Sequence, residues 1–558
     1  MTTKNMLAIF ALIIGILGYV ALFSNSEQLH TAAQTDLPPF PTATSLPAFP
    51  TATPLDVPTF IPTNTSPART ATAGVTEGTK GNVVLLTCHA EPKWSFLVNV
   101  RRGPGPNWGI TRQLVHNTKT QEMRVFGRTS DNRWYHVVLP EPYQNEVGWA
   151  YYETLNVFGV CDDLPVTEEN PEITFEDVPP IPEKVPLPPF ASNISLSEYD
   201  RAFLVKPGIL YIRRDITGGD PLQAHVLVMD LTAPQMRIGG VLGAVPDVKA
   251  VTVSEMVQGT NAFAALNGDY YGGNYMPQNL TIINGEIISA PKHRATFAVT
   301  KDGKPLISYF TLGWTWPSYV VAKNQQSIPL QLMNLPCNPV WLCLYSWHLN
   351  NRLPVKPNAY DGIRVLLDHD FRVVDIFDNV PVDIPDGHYV LRGGDETGKW
   401  LLDNVEVGDQ LQVNLVTEPD WRNFETAIGG GPRIILNGEF WQDCDPTEAQ
   451  PDCEEFDERH RNRHYYDNHI PRSAIGYNQD GTVLYAVVVE GYEVDDSGGA
   501  TQRELADMMI AFGAYQAMEY DGGGSATLWM RPNGPVNDFG YEGERPIANA
   551  VVFYWEEE

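Results

Sequence analysis

Apolar residues along most of this chain come in short runs broken by Gly, Pro, Asn and Asp, a spacing that predicts strands and turns. Val226-Leu227-Val228-Met229, Arg433-Ile434-Ile435-Leu436 and Val483-Leu484-Tyr485-Ala486-Val487-Val488-Val489 are examples. One stretch has the helical period instead. Leu505, Met508, Met509 and Phe512 fall on one face, Thr501 and Glu504 form a capping box ahead of them, and Gly513 follows. For residues 194–558 the pattern predicts an α+β domain, a mixed sheet with few helices.

The N-terminal third is patterned differently. Residues 6–23 form an 18-residue run without a charge, preceded by Lys4, and such a run is just long enough to cross a bilayer. It reads as a signal peptide or a signal anchor. With only the weak His30-Thr31-Ala32-Ala33 stretch as a cleavage site, the expectation is a transmembrane helix within residues 1–30, with the bulk extracytoplasmic; cleavage would make the protein secreted. Residues 31–81 are rich in Pro and Thr, with Phe-Pro-Thr-Ala-Thr at both 40–44 and 49–53. Such composition cannot bury enough apolar surface to fold and predicts a disordered stalk. A second Pro-rich and acidic linker is expected at 163–193. Between the linkers, residues 82–162 alternate short β-branched and aromatic runs with turns, as a small β-barrel would.

At 558 residues the chain is too long for one ordinary core, which agrees with several modules. Lys+Arg 38 against Asp+Glu 68 gives a formal net charge of -30. This opposes nucleic acid and anionic membrane surfaces as partners. A phosphorylated substrate would need a local basic pocket or a cation. The six cysteines fall into local pairs, Cys88 with Cys161, Cys337 with Cys343 and Cys444 with Cys453. No CxxC or His spacing completes a zinc set, so disulfides are expected over metal ligands.

Three stretches of the small module, Asn99-Val100-Arg101-Arg102-Gly103-Pro104, Trp134-Tyr135-His136-Val137 and Gly148-Trp149-Ala150, resemble bacterial SH3-type domains. The resemblance implies attachment to cell-wall or surface polysaccharide, with Trp108, Trp134 and Trp149 as binding residues. Packing of a small core is the other reading of Trp134 and Trp149.

The chemistry concentrates after the helix. Ala517-Met518-Glu519-Tyr520 reads as a strand, Asp521-Gly522-Gly523-Gly524-Ser525 as a turn, and Ala526-Thr527-Leu528-Trp529-Met530 as another strand. Consecutive glycines let backbone N–H groups converge on an anion and Ser525 adds a hydroxyl. A hairpin turn is the bland alternative. A P-loop is excluded, because no Gly-Lys-Ser/Thr precedes a helix. A serine hydrolase lacks its Gly-x-Ser-x-Gly elbow. His460, His464 and His469, interleaved with Arg459, Arg461 and Arg463, read as a polar loop beside the substrate cleft.

An ordered set of motifs resembles the phosphodiester glycosidase family. They are Asn267-Gly268-Asp269-Tyr270-Tyr271, Ala427-Ile428-Gly429-Gly430-Gly431-Pro432 running to Asn437-Gly438, Pro471-Arg472-Ser473-Ala474-Ile475-Gly476, Val489-Glu490-Gly491, and the 521–527 run. The resemblance implies hydrolysis of a sugar-1-phosphodiester, with Asp521, Glu490, Arg472 and Asn267 as catalytic residues. Gly522, Gly523, Gly524, Ser525, Asp269, Tyr270 and Gly431 would bind substrate. Glycosidic cleavage uses paired carboxyl groups, here Asp521 and Glu490. Arg472 would bind two phosphate oxygens and Asn267 would position a sugar hydroxyl or a water. Glu490 departs from the family, where Asp is usual. Asp269 replaces a small residue and is a candidate for binding a cation, such as Ca2+, or for tuning substrate choice. No cofactor is required by the sequence. The competing reading is a non-catalytic surface protein that binds phosphate-containing polysaccharide.

Overall fold

The computed structural model describes residues 83–556 apart from internal stretches, of which 442–453 and 455–467 are the longest. The expected transmembrane segment, the stalk, the pair Cys444 and Cys453, and His460 with His464 all lie outside the described residues. Among the described residues no helix is long and apolar enough to cross a membrane.

The α+β expectation is corrected: the described chain is nearly all sheet. Its α-helices are Val253–Met256, Asp395–Asn404 and Gln502–Ala511. The main sheet has eight strands, in the order Asp200–Lys206, Ile209–Ile216, Leu222–Asp230, Val483–Val489, Arg472–Tyr477, Gln516–Glu519, Arg433–Leu436 and Glu439–Phe440. Two five-stranded sheets pack against one face of it. One contains Asn549–Trp555, Ala262–Asn267 and Leu528–Met530; the other contains Phe424–Gly429 and Ala295–Thr300. Their shared core joins Leu484, Ala486 and Val488 to Leu266, Phe297, Ile428 and Phe553. The alternate residues Val483, Tyr485, Val487 and Val489 face the other way, under Leu505, Met509 and Phe512 of the helix Gln502–Ala511. Both faces of this strand are covered, which is why its apolar run is unbroken.

The SH3-like barrel is also corrected. Residues 83–158 hold a seven-stranded sheet that stays open, with Ile110–Val115 and Leu155–Phe158 at its ends. The end strand Leu155–Phe158 pairs with Cys88–Pro92 on one edge and bonds to Asn533 on the other. The Val157 amide donates to Asn533 Oδ1 at 2.7 Å, and Asn533 Nδ2 donates to Val157 O at 2.6 Å. Trp149 is fully buried and stacked on His136, with ring centroids 4.2 Å apart. Trp134 packs against Tyr151, and Trp108 is 37% exposed. Disulfides join Cys88 to Cys161 and Cys337 to Cys343.

Candidate active site

The run 521–525 is not a hairpin turn. It leaves the strand Gln516–Glu519 of the eight-stranded sheet and enters Leu528–Met530 of a five-stranded one, with a single 3-10 turn at Gly523–Ser525. Residues 430–432 make a similar crossing, from Phe424–Gly429 to Arg433–Leu436. Three sheets therefore meet where Asn267, Gly429 and Glu519 end their strands.

Asn267 is fully buried and clamps the crossing. Its Nδ2 donates to Asp521 O at 2.7 Å and its Oδ1 accepts from the Thr527 amide at 3.0 Å. Both ends of the side chain hold loop backbone, so Asn267 fixes Asp521 in place. The Asp521 amide donates to Gly268 O, that of Gly523 to Pro471 O and that of Ser525 to Gly522 O. Among the described residues the loop amides left for an anion are those of Gly522 and Gly524.

Asp269 lies behind Asp521, 1% exposed. Its backbone amide donates to Asn549 Oδ1 at 2.8 Å and its Oδ2 accepts from the Asn279 amide at 2.6 Å. Gly429 passes so close that a Cβ there would sit 3.0 Å from Asp269 Oδ2 and 2.5 Å from Asn279 Cβ. Burial raises the Asp269 pKa to about 7; Arg294 opposes this and the charge of Asp521 adds to it. Tyr270 donates its hydroxyl to Gly431 O at 3.2 Å, with the Arg294 guanidinium 5.6 Å from its ring centre. The Gly431 amide in turn donates to Glu519 O at 2.9 Å.

Arg472 and Asp521 do not share a face. Along Arg472–Tyr477 the residues alternate, and Ala474 belongs to the helix-side core while Ile475 belongs to the site-side core. Arg472 follows Ala474. Its Nε donates to Ala500 O at 2.7 Å, its Nη1 to Glu519 Oε1 at 3.0 Å and its Nη2 to Asn468 O at 3.0 Å, all in a 1% exposed position. Glu519 also accepts from Gln502 of the helix. Burial raises the Glu519 pKa, against the lowering effect of Arg472. The guanidinium thus ties the helix to the sheet. Ser473, one residue on, points to the site side.

Another cation stands at the loop. A Cβ on Gly524 would lie 2.6 Å from Arg545 Cζ and 2.9 Å from its Nε, so glycine lets the guanidinium lie flat on the loop backbone. Arg545 is exposed. The phenol of Tyr271 is raised by burial and then by Asp521, with Arg545 opposing, which places all three charges in one neighbourhood. A lone Arg before a Pro carries little sequence signal, and Arg545 was missed for that reason.

Glu490 lies past the end of Val483–Val489 and is held on one oxygen. Its Oε1 accepts from the Asp538 amide at 2.8 Å and shares a 2.7 Å hydrogen bond with His225 Nε2. His225 Nδ1 is 2.6 Å from the Tyr211 hydroxyl. Burial would raise the Glu490 pKa, but the hydrogen bond and charge of His225, the Asp538 amide and Arg213 outweigh it and hold it below the usual value. Asp538 follows Asn537, which grips Leu528 N and Ala526 O. Glu490 therefore reaches the same crossing through the Asn537-Asp538 segment.

Four buried side-chain atoms gather around the crossing with no hydrogen-bond partner: Asp269 Oδ1, Ser473 Oγ, Tyr520 OH and Ser525 Oγ. Burial raises the Tyr520 phenol well above its usual value, with Asp269 adding to the shift. Unmatched buried polar atoms are costly, and each calls for a partner such as a water or a ligand group. Among the described residues no group of three or more His, Cys, Asp or Glu could hold a metal ion.

The sheet junction thus brings acids, hydroxyls and the guanidinium groups of Arg294 and Arg545 together. Residues 371–554 match the phosphodiester glycosidase family; this span includes Glu490, Asp521 and Arg545 and excludes Asn267 and Asp269. No curated protein matches the chain. Among solved structures, a hypothetical protein from Synechocystis is similar at 15% identity and a TM-score of 0.52, covering 86% of this chain and 81% of that one. A protein from Burkholderia pseudomallei is 18% identical with a TM-score of 0.50, covering 60% and 74%. The catalytic domain of zebrafish N-acetylglucosamine-1-phosphodiester alpha-N-acetylglucosaminidase is 15% identical, with a TM-score of 0.35 over 66% of this chain and 87% of that one. The first two likenesses extend the fold alone.

Proposed function

We propose that this protein is an extracytoplasmic phosphodiester glycosidase that hydrolyses a sugar-1-phosphodiester in cell-surface or extracellular glycoconjugates. The observation that supports the reading is the group of unmatched polar atoms at the 521–525 crossing, beside an exposed guanidinium, with Ser473, Tyr520 and Ser525 inside the segment that matches the family and Asp269 outside it. The two disulfides support an oxidising compartment.

In this reading Asp521 takes a proton from water, whose oxygen bonds the anomeric carbon. The bond from that carbon to the phosphate oxygen breaks, and its electron pair leaves with the phosphate monoester. A phosphate leaves as a stable anion, so charge stabilisation matters more than protonation. Arg545 and the amides of Gly522 and Gly524 supply it. Asp269 stays protonated below about pH 7, so it adds no charge beside Asp521 there. Tyr520, Ser473 and Ser525 offer hydroxyls to the sugar. Glu490 is a negative charge held at the crossing by the Asp538 amide and His225.

The test is product analysis with a panel of hexose-1-phosphate methyl diesters. The expected result is free hexose and methyl phosphate from the wild type, and a loss of at least about 10³-fold in kcat for Asp521→Asn, the usual scale for a general base combined with lost positioning. Full turnover by Asp521→Asn would remove the assignment. If the wild type cleaves nothing yet retards a phosphate-containing polysaccharide, the non-catalytic reading takes its place.

A further inference from the structure

A cavity lies between the N-terminal open sheet and the sheets that carry the site, with a volume of about 1190 Å³. Small-ligand pockets run to about 1,000 Å³. Its lining combines half-buried aromatic rings, Tyr152, Tyr554 and Trp555, with three cations, Arg133, Lys206 and Arg531. We propose that this cleft binds an anionic oligosaccharide and so forms a carbohydrate site separate from the Asp521 crossing.

Three observations carry the proposal. The first is chemical. Flat aromatic rings pack against the C–H faces of sugar rings, while guanidinium and ammonium groups bind carboxylate or phosphate substituents. The second is charge. In a chain of net charge -30, the described residues that line this cleft include three cations against two acids, Asp131 and Glu556. Both acids are already engaged: Asp131 accepts from Thr129 Oγ1 at 2.6 Å and from the Arg133 amide at 3.0 Å, and Glu556 pairs with Arg237 at 3.4 Å. The third is rigidity. The two walls are joined by the reciprocal Asn533 and Val157 hydrogen bonds, and Lys93 Nζ donates to Asn533 O at 2.6 Å. Arg531 is fixed by Ala262 O and Thr260 O, 5.7 Å from the Trp529 ring centre. A cleft formed in advance binds without the cost of ordering its walls.

The cleft and the crossing lie at opposite ends of one strand. Ala262–Asn267 has Asn267 at the Asp521 end, and Ala262 at the Arg531 end. Six residues of strand separate them by about 17 Å. None of the residues at the crossing lines the cleft. The proposal does not require the hydrolytic reading, because a binder would use the cleft equally.

Calorimetric titration of the full chain with hexagalacturonate, an anionic probe, and chitohexaose, a neutral one, tests it. The expected result is saturable binding of hexagalacturonate, at least tenfold tighter than chitohexaose. The double variant R133E/K206E should weaken it at least tenfold while keeping the wild-type far-ultraviolet circular dichroism spectrum, since Arg133 is exposed and Lys206 half-buried. Trp555→Ala should weaken both probes, whereas Asp521→Asn should bind hexagalacturonate as the wild type does. Absence of saturable binding, an R133E/K206E variant as tight as wild type, or loss of binding in Asp521→Asn would each overturn the proposal. The last would place the probe at the crossing instead.

Discussion

Asp269 holds one carboxylate oxygen against a backbone amide and leaves the other without a partner, so its burial works against ionisation. The linkage to stability has a definite sign. Its folded pKa, about 7, lies above the ordinary 3.8. Relative stability from this group is complete below about pH 4 and is lost as pH rises through about 7, on the order of 4 kcal/mol across that window. Asp269→Asn should therefore melt close to the wild type at pH 4 and above it at pH 8, read by calorimetry. An equal melting difference at both values would show that Asp269 is ionised throughout. At Gly524 the prediction is steric: Gly524→Ala places a methyl where the Arg545 guanidinium lies. It should raise KM for a sugar phosphodiester about tenfold or more, the scale of a lost charged hydrogen bond, and Arg545→Met should do the same. An unchanged KM in both would remove Arg545 from phosphate binding. The sequence motifs picked out Asp521 and Asn267 because Asn-Gly and Gly-Gly-Gly stand out in any chain. They also selected Arg472 over Ser473, because a guanidinium suggests phosphate whichever face of the strand it occupies.

The helix Gln502–Ala511 was legible from its capping box, and the Thr501 and Glu504 amides and side chains are paired as that pattern requires. The helix Asp395–Asn404 was not. Its N-cap is Gly394, with no side-chain cap, and it carries Gly398 in its interior, so neither its start nor its period announces it. What the helix Gln502–Ala511 does in the fold was equally hidden. It anchors through Gln502 to Glu519 and so to Arg472, and no local pattern reports a contact between strands so distant in sequence. The consequence is testable at Arg472→Met, which leaves Glu519 buried without its cation. The cost should be roughly 3–5 kcal/mol, larger at pH 8 than at pH 5, because protonated Glu519 needs no partner. Glu519→Gln added to the same chain should recover most of it. Below its melting temperature, Arg472→Met should keep the KM of the wild type, whereas a large rise in KM would return Arg472 to the substrate.

At the scale of the molecule, strand pairing between sheets was beyond the reach of pattern. The apolar runs foretold strands, but not that 521–525 would cross from one sheet to another, nor that Leu155–Phe158 would bond to Asn533 instead of closing a barrel. Net charge, by contrast, is read straight from sequence and acts at long range. At -30 the chain repels an anionic diester well before Arg545 can attract it. Ionic screening shortens the reach of both forces but unequally. The Debye length falls from about 30 Å at 0.01 M to about 8 Å at 0.15 M salt. That removes most of the repulsion from distant carboxylates and spares a contact made at a few ångströms. Between those concentrations KM for a sugar phosphodiester should therefore fall, roughly two- to five-fold, while KM for an uncharged aryl glycoside stays flat. Steady-state kinetics on both substrates across that range decides the matter. A KM that rises with salt for the diester alone would mean that Arg545 and its neighbours dominate the approach of substrate, and that the acidic surface faces elsewhere.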